Sequence, residues 1–319
     1  MRCLFVGTPE VAVPALDCLF ESDHEVVGVL TRLDSRVGRG RKLSSSPVAK
    51  RAEELGLPVI KADSLRDPEL LSQLEDLQAD VAAVVAYGAL VPEKALSIFR
   101  FGWLNLHFSL LPRWRGAAPV QRSIAAGDTK TGACVFEIEK GLDTGPVYAS
   151  LEYNLDDEKT TGVVLNDLSR AGGPLIVEVL TSLENGTAIA SPQSATGITL
   201  APKITTADCL IDFSLPASKV VRQINSVSPL PGAFTFHADK RLKVAGARLN
   251  GSLPEGVASL APGQVLLTKR SLLVGCGSGA VELLRVAPAS KGWMEATAWA
   301  RGARLSPDTV LDSAVEREN

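Results

Sequence analysis

Asp80–Gly88 reads "DVAAVVAYG" and Gly102–Phe108 reads "GWLNLHF". Each is a short, almost unbroken apolar run closed or opened by glycine. A strand with one wet face alternates apolar and polar residues. A continuous run instead predicts a strand covered on both faces, as in a parallel sheet flanked by helices. Upstream, "RCLFV" running into Gly7, "EVVGVLT" and "LPVIKA" read the same way. Between them lie segments with apolar residues at helical spacing: "PEVAVPALDCLFES", "SPVAKRAEELG" with a serine placed to cap it, and "DPELLSQLEDLQ". Downstream, "AAPVQRSIAAGD" is helical again and "GACVFEIE" is a strand. This alternation predicts an α/β fold, Rossmann-like, with a mainly parallel sheet. It does not imply a dinucleotide. "VGTPEVAVPA" after the first strand has one glycine where the pyrophosphate fingerprint needs three. Its Thr8-Pro9 pair reads instead as a helix start.

The texture changes from about Glu184 to Asp208, where Gly, Ser, Thr and Pro dominate without periodicity. Beyond it, "GAFTFHADKRLKVAGARL", "GQVLLTKRSLLVGC" and "GAVELLRVAPAS" are short strands separated by turn residues. They predict a small β barrel or sandwich. The expected organisation is a catalytic domain over 1–189, a linker over 190–207 and a barrel domain over 208–319.

The 319 residues suit two domains, and 45% hydrophobic with 22% charged residues is enough for real cores. The net charge of -3 excludes a protein that coats nucleic acid with its whole surface, but not one with a local basic patch. Residues 208–300 carry 10 basic and 6 acidic side chains, so the second domain is mildly basic. The five cysteines form no CxxC pair, which predicts reduced thiols and a cytoplasmic protein. No His/Cys/carboxylate cluster has metal-ligand spacing, so no metal is expected. The N-terminus enters a strand at once, without a signal-peptide pattern, and no run of about 18 apolar residues predicts a membrane span.

Four features could carry chemistry. Asn105 and His107 share one face of a strand at its carboxyl end, where open α/β sheets bind ligands. "SLLP", Ser109–Pro112, follows at once, and its proline fixes a turn. Asp143 stands between Gly141 and Gly145 just after another strand, a tight loop able to present a carboxylate to an imidazole. Thr31–Arg51 carries seven basic residues and one acidic one, with glycines between arginines. Such a run is either a solvated loop or an arm that meets phosphates.

Asn105-x-His107-x-Ser109-Leu110-Leu111-Pro112, followed by Asp143 in Gly-Leu-Asp-Thr-Gly, resembles the folate-dependent formyltransferase family. "GRGRK", "SPVAK", "AYGALVP" (Ala86–Pro92), "LLPRWRGAAPVQR" and "DFSLPASKVVRQI" are similar to the branch of that family that acts on methionyl-tRNA. The resemblance runs over nearly the whole chain. It implies a formyltransferase domain followed by an OB-like barrel, with Asn105, His107 and Asp143 as the catalytic trio. It implies folate contacts from Ser109, Leu110, Leu111 and Pro112 and from Ala86, Tyr87, Gly88, Leu90 and Val91. It implies tRNA contacts from Arg36, Arg39, Arg41 and Lys42, and from the barrel. The co-substrate would be 10-formyltetrahydrofolate and the acceptor initiator methionyl-tRNA, with no metal, no membrane partner and a monomeric enzyme. Asp143 would favour a cationic His107. The chain departs from the family's usual residues at Phe108, read as a packing change, and at Leu230, where many relatives carry a tryptophan.

Two other readings stay open on sequence. A formyltransferase for a sugar nucleotide would share the trio but need neither the basic loop nor a barrel of this texture. A non-catalytic RNA-binding protein would have no reason to keep the trio together.

Overall fold

The computed structural model describes residues 1–37, 42–306 and 308–312. The chain divides into two compact units. Unit 1 comprises residues 1–119, 130–153 and 165–201, and unit 2 comprises 120–129, 154–164 and 202–319.

In chain order, unit 1 begins with β1 (Arg2–Gly7), α1 (Val13–Phe20), β2 (Glu25–Thr31), β3 (Ser35–Val37), β4 (Lys42–Ser44), α2 (Pro47–Glu54) and β5 (Val59–Lys61). It continues with α3 (Pro68–Asp76), β6 (Val81–Val85), α4 (Glu93–Leu96), β7 (Trp103–His107) and β8 (Arg115–Gly116). Past α5 (Pro119–Ala126), which falls almost wholly in unit 2, come β9 (Lys130–Glu137), β10 (Val147–Asn154), α6 (Thr161–Glu184), whose first turn is also in unit 2, and β11 (Leu200–Ala201). Seven strands form one sheet in the order β10-β9-β7-β6-β1-β2-β5. The run from β7 to β5 is parallel throughout, and β9 lies antiparallel to β7. This is the Rossmann-like architecture the apolar runs predict.

The helix signals act as read. The Ser46 hydroxyl accepts the Ala49 N–H at the start of α2, and the Asp67 carboxylate accepts the Glu69 N–H at the start of α3. Thr8 does not cap a helix: its hydroxyl donates to the Tyr87 carbonyl at 3.0 Å, and Pro9 precedes a short 3₁₀ turn, Glu10–Ala12. On one face of the sheet, Leu4, Val6, Leu30, Ala82, Val84 and Trp103 are buried against Leu70 and Leu74 of α3 and Ala95 of α4. The Trp103 indole N–H donates to the Ala95 carbonyl at 2.8 Å, so the largest core side chain leaves no orphan donor. On the other face α6 lies close. A Cβ on Gly172 would sit 2.7 Å from Leu106, and one on Gly173 2.6 Å from the Cys18 sulfur. A larger residue at either position would force those side chains to shift.

Unit 2 contains α7 (Thr206–Cys209), α8 (Ala217–Ser226), β12 (Ala233–His237), β13 (Lys240–Asn250), β14 (Val265–Leu267), β15 (Leu272–Gly275), β16 (Ala280–Pro288), β17 (Met294–Glu295) and α9 (Ala296–Ala303). The main strands pair antiparallel in the order β12-β13-β16-β15-β14. Residues 309–312 close the ring. Val265 donates to the Thr309 carbonyl and Leu311 to Gly263 on the β14 side, while Asp312 exchanges both backbone bonds with Phe236 of β12. The result is a small barrel closed by isolated bridges and cored by Phe213, Val220, Ile224, Val244, Val274 and Val281. No helix among the described residues is long and apolar enough to cross a membrane.

Candidate active site

The site grows from the carboxyl end of β7. Asn105 is half-buried and registers against Val84 of β6 and Phe136 of β9; His107 is buried and registers against Cys134. The two side chains share a face, as the alternation requires. The Asn105 amide has no hydrogen-bond partner among the described residues. Beyond Phe108, which is buried, the chain turns tightly. The Ser109 hydroxyl donates to the Arg113 carbonyl at 2.6 Å, the Arg113 N–H returns to the Leu110 carbonyl at 3.1 Å, and Leu111–Pro112 is cis. Trp114 holds a left-handed φ of 63°. That turn aims the Trp114 carbonyl at His107 Nε2, 3.0 Å away. A carbonyl only accepts, so Nε2 carries the hydrogen and Nδ1 of the neutral ring presents a lone pair.

Asp143 is the second half. Its loop leaves β9 and holds Asp143 at a left-handed φ of 50°. Its Oδ2 accepts the Gly116 N–H at 2.7 Å and lies 3.9 Å from His107 Nδ1. The side chains of His107 and Asp143 are 6% and 17% exposed, so the pair is nearly out of water. Burial pushes the His107 pKa down; the Asp143 charge and the bond to Trp114 oppose this and do not overcome it. The expected cationic imidazole is therefore neutral in the resting site. What results is two acceptors, Nδ1 and a carboxylate oxygen, facing one small gap that an N–H or a water can bridge.

The strands β6 and β7 are parallel neighbours, so the segments that follow them leave the sheet side by side. After β6, Ala86 (φ 50°), Gly88 and Leu90 are exposed, and Val91 is half-buried. Tyr87 is buried instead, its hydroxyl donating to the Ala62 carbonyl at 2.7 Å, and burial pushes its pKa up to about 12. After β7, Leu110, Leu111 and Pro112 are half-buried, whereas Ser109 is fully buried with its hydroxyl spent on the turn. Thus the hydroxyls of Tyr87 and Ser109 are both spent on backbone carbonyls.

Arg36 is exposed on β3, which pairs antiparallel with β4 as a short hairpin. Its base is pinned by the Lys61 ammonium, which donates to Asp34 at 2.6 Å and Ser45 at 3.1 Å. Arg39 and Arg41 lie outside the described residues, as does the side chain of Lys42. Among the described residues no group of three or more His, Cys, Asp or Glu is placed to hold a metal ion.

Sequence reasoning missed the part played by residues 191–201, which it read as linker. Ser191 pairs with Val147, β11 pairs with β8, and Thr199 accepts the Trp114 N–H through its hydroxyl at 2.8 Å. The stretch lacks periodicity because it is extended and mostly exposed, with single residues turned inward.

Residues 1–180 match the family model for formyl transferase, and residues 203–304 match that for the formyl transferase C-terminal domain. The methionyl-tRNA formyltransferase of Renibacterium salmoninarum is 51% identical over 98% of this chain and 99% of its own. That of Streptomyces coelicolor is 49% identical over 96% of this chain and 98% of its own. Among solved structures, HypX from Aquifex aeolicus in complex with tetrahydrofolic acid superimposes with a TM-score of 0.66 at 18% identity. The match covers 94% of this chain and 47% of HypX, so the chain spans about half of that longer protein and the likeness is one of fold.

Proposed function

The chain belongs to the formyl transferase family, and from that footing we propose that it moves the formyl group of 10-formyltetrahydrofolate onto the α-amino group of methionine on initiator methionyl-tRNA. The observation that carries the chemistry is the buried pairing of His107 Nδ1 with the Asp143 carboxylate on one strand face with an unengaged Asn105 amide.

The amine attacks the formyl carbon, forming a C–N bond and a tetrahedral oxyanion. Asn105 donates to that oxyanion; a pre-aimed donor of this kind is worth about 3–4 kcal/mol. The attacking nitrogen must shed a proton, and the neutral His107 accepts it at Nδ1 while Asp143 stabilises the imidazolium that forms. The proton then passes to N10 of the folate as the C–N10 bond breaks, which returns the ring to its resting tautomer. The exposed backbone at Ala86, Gly88 and Leu90 and the turn at Leu110–Pro112 would receive the folate. The basic segment from Arg36 to Lys42 would meet acceptor-stem phosphates.

A single assay tests this. The protein is incubated with 10-formyltetrahydrofolate and, in parallel, with initiator methionyl-tRNA, elongator methionyl-tRNA and a nucleotide-linked amino sugar. Formylation of the first alone is expected, and transfer to the sugar instead would overturn the reading. Asn105→Ala should lower kcat about 10²–10³-fold while leaving tRNA affinity near that of the parent.

A further inference from the structure

One side chain in the 191–201 stretch has all four of its hydrogen-bonding positions occupied. Gln193 is half-buried between exposed neighbours. Its Oε1 accepts from both Nε and NH2 of Arg115, at 3.0 and 2.7 Å. Its Nε2 donates to the Asp143 carbonyl and to the Gly145 carbonyl, both at 2.8 Å. A glutamine amide offers two lone pairs and two hydrogens, so nothing is left unpaired. Reversing the amide would set its hydrogens against a guanidinium and its oxygen against two carbonyls. Glutamate keeps the length but has no donor for the carbonyls, and asparagine is too short to span the same gap.

The carbonyls it holds are that of Asp143 itself, whose φ is left-handed, and that of Gly145 two residues on. Arg115, at the other end, belongs to β8, whose next residue Gly116 donates to the Asp143 carboxylate. Carboxylate and backbone of Asp143 are thus tied to adjacent residues of one short strand, the second tie running through Gln193. We infer that Gln193 is a positioning residue for the transfer reaction, fixing the Asp143 carboxylate against His107 by relaying Arg115 to the Asp143–Gly145 backbone. This rests on the formyl-transfer reading of the site.

The test compares the parent with Gln193→Met, which keeps volume and loses all four bonds, and with Arg115→Met and the double variant. For Gln193→Met, kcat is expected to fall about 10- to 100-fold, with KM for folate and for tRNA changed less than about twofold. Because both residues act through one relay, the double variant should lose no more than the worse single one. Unfolding midpoints are measured alongside. Should the Met variant unfold below assay temperature, Gln193→Glu carries the same expectation, since it retains the pairing with Arg115 and loses only the donors. Parent-like kcat in the folded variant, a loss confined to KM, or additive losses in the double variant would each overturn the inference. A parent enzyme with no formyl transfer would instead sink the functional reading on which it stands.

Discussion

His107 illustrates how a single residue's protonation is decided by competing terms. A carboxylate at 3.9 Å argues for the cation, but 6% exposure argues for the neutral ring, and burial prevails. Burial holds the Cys134 thiol, opposite on β9, up to about 12, so it does not compete for the proton in that range. Activity should therefore fall on the acid side as Nδ1 takes a proton, with a midpoint below the ordinary imidazole value of 6.5. Asp143→Asn removes the charge that raises this pKa. The variant's acid limb should move to still lower pH, whatever its loss of kcat, and pH profiles of kcat for the two enzymes check the direction. A limb that moves upward would contradict the assignment of Nδ1 as base. Asn105 and His107 were legible as a pair because alternation places them on one face. That Asp143 meets His107 was not, since nothing local links one loop to a strand so distant in the chain. Gln193 was invisible for a related reason: its partners are two backbone carbonyls and an arginine, none of which leaves a mark on the sequence around it.

At the scale of elements, the parallel strands were readable because a strand buried on both faces must be apolar throughout. The long helix α6 was not. Its "SRAGGPL" interior carries two helix-weakening glycines and Pro174, which locally reads as a break. Tertiary contact overrides that signal, since Gly172 and Gly173 are where the helix backbone meets Leu106 and Cys18. The β8–β11 ladder was equally hidden, being two residues long on each side. It is nonetheless where the site can be broken from a distance. Gly116 has φ 129°, a region closed to side chains, and a Cβ there would lie 2.7 Å from the Ala201 carbonyl oxygen. Gly116→Ala should cost about 1–3 kcal/mol in unfolding free energy. It should also depress kcat, because the displaced N–H is the one bonded to Asp143. Denaturant unfolding and steady-state kinetics on the same preparation measure both. Unchanged stability would mean that the ladder yields without cost.

At the scale of the molecule, the separation of chemistry and charge is the larger pattern. The chain is acidic as a whole at -3, yet the barrel presents cations outward. On β13, Arg241 and Lys243 are exposed while the alternating Leu242 and Val244 are buried. Arg285 on β16 is exposed as well, registered against Ala245. Strand texture and the excess of basic residues were legible; ring closure by residues 309–312 was not, because it joins the last described residues to both ends of the sheet. Closure matters for the charges, since it fixes β13 in a rigid wall and so fixes the spacing of its cations. If this wall meets the RNA backbone, each cation that reaches a phosphate releases a counterion on binding, and affinity falls linearly with the logarithm of salt. The Arg241→Glu/Lys243→Glu double variant should raise KM for tRNA and reduce the magnitude of the log–log salt slope by roughly 1 for each phosphate no longer neutralised. KM for folate should not move, because the segments proposed to receive the folate follow β6 and β7 in the other unit. Salt titrations of KM for each substrate decide the matter. A parallel rise in both values would place the fault in the variant's folding, and an unchanged tRNA slope would remove this face of the barrel from the interface.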